Sequence, residues 1–285
     1  MLDFLSHNEA PISDQQWDEI DQTVVEVARR QLVGRRFISV FGPLGAGIQW
    51  TTQDTFEGST QGLINALGDK DQHPIQSSFR QNLHIPMLYK DFVFYWRDIE
   101  ASRKFNIPLD LSAAAAAASV CARTEDELIF RGHRDSANGF DYPGLLTVTG
   151  RQVIQKGNWD EAGAVFQDVI RATETLAAQG YYAPYAMVVP PALYSKIHRY
   201  VNTSGMMEIE YIRQIVTHGV YFSSVIPADR TLVVSTGVQN MDLAIAQDLK
   251  TAYLGAENMN HPFRVFETLA LRIKRPGAIC VIEGA

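Results

Sequence analysis

The sequence predicts an α+β protein, and three observations carry the prediction. Six consecutive alanines, Ala113 to Ala118, follow Pro108-Leu-Asp-Leu-Ser112 and mark a long helix. Two stretches, Leu83 to Trp96 and Phe263 to Lys274, read as long strands. Between them, helical and strand patterns take turns over about 150 to 219, so an α/β insertion sits inside a frame of helix and long strands. The 285 residues suffice for one large or two modest domains. A compact chain of this size would keep roughly 12,000 Å² of accessible surface out of about 46,000 Å² unfolded.

The first helix runs from about Ser13 to Leu32. Ser13 with Gln16 three residues later forms a capping box, and Ile12 stands at staple spacing from Trp17. Trp17, Ile20, Val24, Val27 and Leu32 make one apolar stripe, with Asp18, Asp21, Glu26 and Arg29 mostly off it. That stripe needs cover from elsewhere. Phe37 to Phe41 reads as a strand, and Gly42-Pro-Leu-Gly45-Ala-Gly47 after it reads as a turn. From Trp50 to Phe79 the chain fills with Thr, Gln, Ser, Gly and Asp, which is too long for an ordinary connection inside a compact domain. In the strand that follows, Phe92, Phe94 and Trp96 fall on one side and Val93 and Tyr95 on the other, so both faces should be covered.

Asp110 or Ser112 can cap the alanine-rich helix, which should continue through Val120, Cys121, Glu125 and Leu128 for about five turns. Its thin girth lets a sheet or helix approach closely and suits a central spine. After Arg131-Gly132 the chain is rich in Gly, Asn and Pro as far as Gly150. A helix is expected at Ala164 to Gln179 with Gly180 past its end, then a buried strand at Ala186 to Val189. Pro191 opens a helix to Tyr200, Asn202-Thr-Ser-Gly205 forms a turn, and Ile209 to Val216 is helical again. Strands at Thr231 to Ser235, Leu243 to Gln247 and Phe263 to Lys274 close the chain.

Charge and chemistry then narrow the function. Twenty-five Lys and Arg against 32 Asp and Glu give −7, which argues against wholesale neutralisation of phosphates and so against nucleic acid. The two cysteines, Cys121 and Cys280, have no partner at metal or redox spacing and read as small buried hydrophobes. No apolar run reaches transmembrane length and the first residues carry no secretory pattern, so a soluble cytoplasmic protein is expected. The glycine cluster at 42 to 47 lacks the Lys-Ser/Thr pair of a phosphate loop, no nucleophile elbow or zinc-binding helix motif occurs, and the histidines are scattered. Glu125-Asp126-Glu127 could be proposed as acid–base or metal machinery. With Arg123, Arg131 and Arg134 nearby, structural ion pairs are the better reading. No catalytic residue, metal site or cofactor is assigned.

The dispersed blocks Phe4-Leu5, Pro11, Gln16-Trp17, Gln31-Leu-Val-Gly34-Arg35, Gly42-Pro-Leu-Gly45, Lys90-Asp91-Phe92, Pro108-Leu-Asp-Leu-Ser112, Glu125-Asp-Glu-Leu-Ile-Phe130 and Asn260-His-Pro-Phe-Arg264 resemble, in order, those of the encapsulins. These are bacterial nanocompartment shell proteins, also known as linocin-type bacteriocins. The resemblance implies the HK97-like tailed-phage capsid fold: an N-terminal helix and the start of a peripheral domain over 1–49, an extended loop over 50–80, the peripheral domain with its spine helix over 81–132, an axial domain over 133–225, and peripheral return strands over 226–285. It further implies a homo-oligomeric icosahedral shell of a multiple of sixty copies. The shell would enclose a ferritin-like protein or a dye-decolorising-type peroxidase, held by a short C-terminal peptide. By position, the peptide groove would include Arg35, Ser39, Asp248, Lys250 and Thr251 above an apolar floor of Leu32 and Phe37. Ser39 stands where relatives often carry a carboxylate. Asn202, Thr203, Ser204 and Gly205 would ring the fivefold pore. The rival readings are a viral capsid that packages nucleic acid, a hydrolase, and a bacteriocin.

Overall fold

In the computed structural model, which describes residues 4–57, 62–201 and 205–284, the first helix is built as its capping signals require. Helix α1 spans Asp14–Gln31; the Ser13 hydroxyl accepts from the Gln16 N–H and the Gln16 side chain accepts from the Ser13 N–H, closing the capping box. Trp17, Ile20, Val24 and Ala28 are buried. A 3-10 turn over Gly34–Arg36 and the two-residue strand β1, Val40–Phe41, follow, so only the end of the expected 37–41 strand is extended. The glycine cluster after it is loop with no helix behind it.

The polar segment forms a ribbon. Strands β2, Trp50–Glu57, and β3, Gln76–His84, pair antiparallel from Trp50↔His84 outward. Sequence reasoning missed them because their Thr, Gln, Ser and Asp residues have no apolar alternation to display. The expected strand from Leu83 to Trp96 is divided. Ile85-Pro86 breaks it, β4 is Met87–Phe94, and Trp96 opens a helix, α2, Trp96–Phe105. Phe92 and Phe94 are buried as expected, whereas Val93, Tyr95 and Trp96 stand exposed, and the Arg97 guanidinium lies over the Trp96 ring at 5.5 Å. Cover on both faces is therefore not supplied among the described residues.

Helix α3, Ser112–Arg131, is the long alanine-rich spine; Asp110 Oδ1 accepts from the N–H and hydroxyl of Ser112 at 2.9 and 2.6 Å and fixes its entry. A hairpin of β5, Gly132–Asp135, and β6, Phe140–Pro143, leads to β7, Gln152–Gln155. Then come α4, Ala164–Ala178, β8, Tyr185–Val189, α5, Pro191–Lys196, α6, Glu208–Ile215, and β9, Gly219–Phe222. The last strands are β10, Arg230–Ser235, β11, Met241–Tyr253, β12, His261–Ile273, and β13, Ile279–Glu283.

These strands form two main sheets. One runs in the order β1-β11-β12-β4 and the other β7-β13-β10-β8-β9. The segment 226–285 thus serves both, with β10 and β13 in the five-stranded sheet and β11 and β12 in the four-stranded one. Helices α1 and α3 cover the four-stranded sheet, where Trp17, Ile20, Ala114, Ala118, Phe263 and Val265 share a core. Val165, Leu176, Ile212 and Met187 form a second core under α4 and α6. Ile129, Phe130, Leu243, Leu269, Val188 and Leu232 join the two sheets. The exposed area, 15667 Å², is roughly 30% above the compact-globule expectation, as a protruding ribbon demands. Among the described residues no helix is long and apolar enough to cross a membrane.

Candidate functional site

The site is built where α1 ends against α3 and the middle strands. The Leu32 N–H closes α1 on the Ala28 carbonyl at 2.9 Å, and the chain turns beneath the α3 carboxylate of Asp126. That carboxylate accepts from the N–H groups of Val33 at 3.1 Å and Gly34 at 3.0 Å. A Cβ at position 34 would meet the buried Ile129 Cδ1 at 2.6 Å, so any larger residue would have to push the Ile129 side chain aside. Burial pushes the Asp126 carboxyl up to about 7 despite the two main-chain donors.

The turn presents Arg35 to three carboxylates. Its Nε and Nη2 donate to Glu125 at 2.8 and 2.7 Å, Nη2 also donates to Glu267 Oε2 at 2.6 Å, and Nη1 donates to Asp248 Oδ1 at 2.7 Å. Glu125 and Glu267 are buried, while the Asp248 side chain opens to solvent. Burial opposes the charge on Arg35, but the bonds and charges of its carboxylate partners outweigh it and hold the guanidinium charged. Burial also pushes Asp248 up, yet Arg35 prevails and keeps its carboxyl below the usual range. Glu267 is raised well above the ordinary value, first by burial and then by the charge of Glu125.

Of the residues expected from sequence, the structure brings Leu32, Arg35 and Asp248 to this end of α1 and sets Lys250 against the middle of the helix. Leu32 packs on Ala28 and Ala122 beside the half-buried Leu249. Lys250 Nζ reaches Asp21 Oδ2 of α1 at 3.6 Å. Phe37 is elsewhere: it is buried between the rings of Phe130 and Tyr221, 6.3 and 5.9 Å away, and is part of the core. The 3-10 turn reverses the backbone after Gly34 and swings Phe37 inward. Thr251 is fully buried. Ser39 is exposed, and its carbonyl accepts from the Leu243 N–H at 2.9 Å, well before Asp248 along β11.

Glu125 and Glu267 were missed as partners of Arg35. In the triplet expected to pair with nearby arginines, only Glu127 does so, with Arg123 at 3.1 Å, while Arg131 donates to the Val225 carbonyl and Arg134 meets Asp141. A signal for Glu267 was present. It occupies the phase of Phe263, Val265 and Leu269 in β12, a charged residue in the buried row.

Asn202, Thr203 and Ser204 lie outside the described residues. Gly205 takes a left-handed conformation at φ 73°, the Val201 N–H bonds the Met206 carbonyl at 3.1 Å, and Tyr200 bridges Met207 antiparallel, so the loop is closed at its base between α5 and α6. Two cavities lie near β4. One, of about 480 Å³, is lined by His84, Leu88, Glu127, Arg131, His133 and Tyr142 among others; the other, of about 520 Å³, is apolar and holds Phe4, Met87, Leu254 and Phe266.

Comparison with known proteins gives these features a family. Residues 2–270 match the family described as encapsulating protein for peroxidase. The type 1 encapsulin shell protein EncA of Myxococcus xanthus is 49% identical over 285 residues, covering 100% of this chain and 98% of the relative. A diheme-cytochrome-encapsulin shell fusion protein of Kuenenia stuttgartiensis is 40% identical over 97% of this chain and 75% of its own. Among solved structures, the virus-like particle of Pyrococcus furiosus superposes with a TM-score of 0.77 at 19% identity, covering 94% of this chain and 99% of that one. The capsid of Myoviridae phage XM1 follows at 0.65 and 15%, covering 87% and 90%. The fold is the HK97-like capsid fold. With the family pattern spanning nearly the whole sequence and a full-length relative at this identity, the chain belongs to the encapsulin shell proteins.

Proposed function

We propose that this chain is a structural subunit, without catalytic chemistry of its own, that closes with copies of itself into an icosahedral shell around a cargo protein. The observation that carries the reading is apolar surface the lone subunit leaves bare. On the ribbon, Ile64 is 100% and Leu67 89% exposed, with Leu63 and Ile75 also uncovered, and on the sheet Met87, Tyr89 and Val93 face solvent. Exposed apolar surface on this scale marks a surface that another chain covers. Heterologous contacts repeated about fivefold and threefold axes close into a shell. In this proposal the segments 1–49, 50–80, 81–132, 133–225 and 226–285 keep the roles the resemblance implied, with β10 and β13 of the last one completing the axial sheet. The loop at 202–205 rings the fivefold opening.

The cargo peptide, in the same reading, lies along the end of α1 over Leu32 and Leu249, with Arg35, Asp248 and Lys250 at its polar edge and Ser39 further along. Phe37 and Thr251 back this wall from the core. Relatives fused to a diheme cytochrome and to a ferritin-like protein, and a family described by a peroxidase, support a redox or iron-handling cargo. The −7 charge weighs against a packaged genome. Electron microscopy and sedimentation of the purified protein test the proposal. Uniform hollow spheres with a protein-like absorbance spectrum are expected, whereas a stable monomer at micromolar concentration, or spheres filled with nucleic acid, would overturn it.

A further inference from the structure

The cluster around Arg35 holds more negative charge than one guanidinium balances. Glu125 takes two of its nitrogens, Nε and Nη2, and the same Nη2 serves Glu267, so two buried carboxyl groups face one another across a single nitrogen. Glu267 receives only that bond: its Oε1 is buried and finds no hydrogen-bond partner among the described residues. An unpartnered carboxylate oxygen in a dry interior is costly, and a second carboxyl group alongside is the natural place for a shared proton. We propose that Glu125 and Glu267 share one proton, and that this proton latches the end of α1 to the sheet and frees it on leaving.

The mechanics follow from position. Arg35 sits immediately beyond α1, Glu125 on α3 and Glu267 on β12, so the three side chains tie helix, spine and sheet at one point. When the proton leaves to solvent, Arg35 keeps its own charge and faces two buried anions besides Asp248. The neighbouring groups do not compensate. Lys250 on β11 is engaged with Asp21 of α1, Arg36 donates to the carbonyls of Leu32 and Arg30, and Asp91 of β4 is held by Arg264. Asp126 and the Cys121 thiol on α3 add only acidic groups; Arg29 of α1 and Lys90 of β4 complete the charged surroundings. The raised value of Glu267 agrees with this arrangement. Stability from the shared proton is full below the ordinary glutamate range and is lost as pH rises through the raised folded-state value.

Hydrogen–deuterium exchange of the assembled full-length protein tests the latch without any cargo, so failure of the cargo reading leaves the test intact. After correction for intrinsic rates, residues 32–37 and 265–269 should exchange about tenfold faster near pH 10 than near pH 6. Glu267→Gln, which keeps the acceptor and supplies a permanent N–H in place of the proton, should lose most of that rise. Asp126 titrates in both proteins, so their difference isolates Glu267. Infrared spectra give a second readout: the wild type at about pH 8 should carry a carboxylic-acid C=O band that Glu267→Gln lacks. Should Glu267→Gln fail to fold, Glu125→Gln serves for both measurements. A flat wild-type exchange profile, an unchanged profile in the variant, or no difference in the acid band overturns the proposal.

Discussion

Gln53 on the ribbon holds the main chain of Ile273 from both sides: its Nε2 donates to the Ile273 carbonyl at 2.8 Å and its Oε1 accepts from the Ile273 N–H at 3.1 Å. The amide imitates one rung of a sheet, so the ribbon is aimed by the last residue of β12. Arg272 adds a bond from Nη1 to the Thr52 carbonyl at 3.0 Å. Gln53→Leu leaves both main-chain groups unpaired and should cost about 1 to 3 kcal/mol. Because the ribbon's aim is affected more than the cores, micrographs should show mixed or incomplete particles before circular dichroism shows unfolding.

Asp242 is the buried anchor behind that root. It accepts from Arg272 Nε and Nη2 at 2.6 and 2.8 Å and from Lys274 Nζ at 2.6 Å. Asp242→Ala strands two cations, one of them buried, and should cost about 3 to 5 kcal/mol, seen as a lower denaturant midpoint. A loss below about 1 kcal/mol would mean that water replaces the carboxylate.

Asp126 makes stability depend on pH in a definite direction. Its carboxyl is raised to about 7 from 3.8, so the folded state binds the proton more tightly than the unfolded chain. The associated stabilisation is present below about pH 4 and is lost as pH rises through about 7. Asp126→Asn should therefore gain on the wild type in melting temperature as pH rises from about 4 to about 7, the span set by those two values. A constant difference between the two proteins across that range would contradict the assignment.

Gly132 ends the spine helix at φ 76°, where a Cβ would lie 2.2 Å from the Tyr142 carbonyl oxygen and 2.5 Å from the Gly144 nitrogen. Neither obstacle is a movable side chain. Gly132→Ala should sharply reduce soluble shell yield, by a destabilisation of roughly 3 kcal/mol or more from backbone displacement. Val153→Ala, at a partly exposed strand position, serves as the benign control.

Cys121 and Cys280 are buried, and burial pushes both thiols up to about 12. A maleimide reagent at neutral pH should leave them unmodified in the native protein and modify both once it is unfolded.

Much of the fold was legible in particular residues. Ser13 with Gln16 announced α1, six alanines announced α3, and Gly180 ended α4, because helix ends and helix formers act locally. The ribbon strands were silent, since a run of Thr, Gln, Ser and Asp carries no apolar period. Strand β13 was silent for the opposite reason: Ile279 to Ile282 are all buried, and a strand covered on both faces has no alternation either. At the site, the resemblance singled out both Arg35 and Asp248, which the fold brings into a direct ion pair, whereas the burial of the Phe37 ring between Phe130 and Tyr221 depends on a turn that no local pattern announces. Glu125 and Glu267 meet only in three dimensions, from α3 and β12, and only the misfit of Glu267 in its apolar row hinted at it.

The position of β13 bears on how such a subunit is born. It lies between β7 and β10, so the five-stranded sheet has a gap at its second place until residues 279–283 emerge from the ribosome. A nascent chain can form α1, the spine and the ribbon early, but the five-stranded sheet stays open along two strand edges until β13 has been made. A sheet left open at its second place exposes the facing edges of β7 and β10 to pairing with other chains, and β13 is the staple that removes both edges at once.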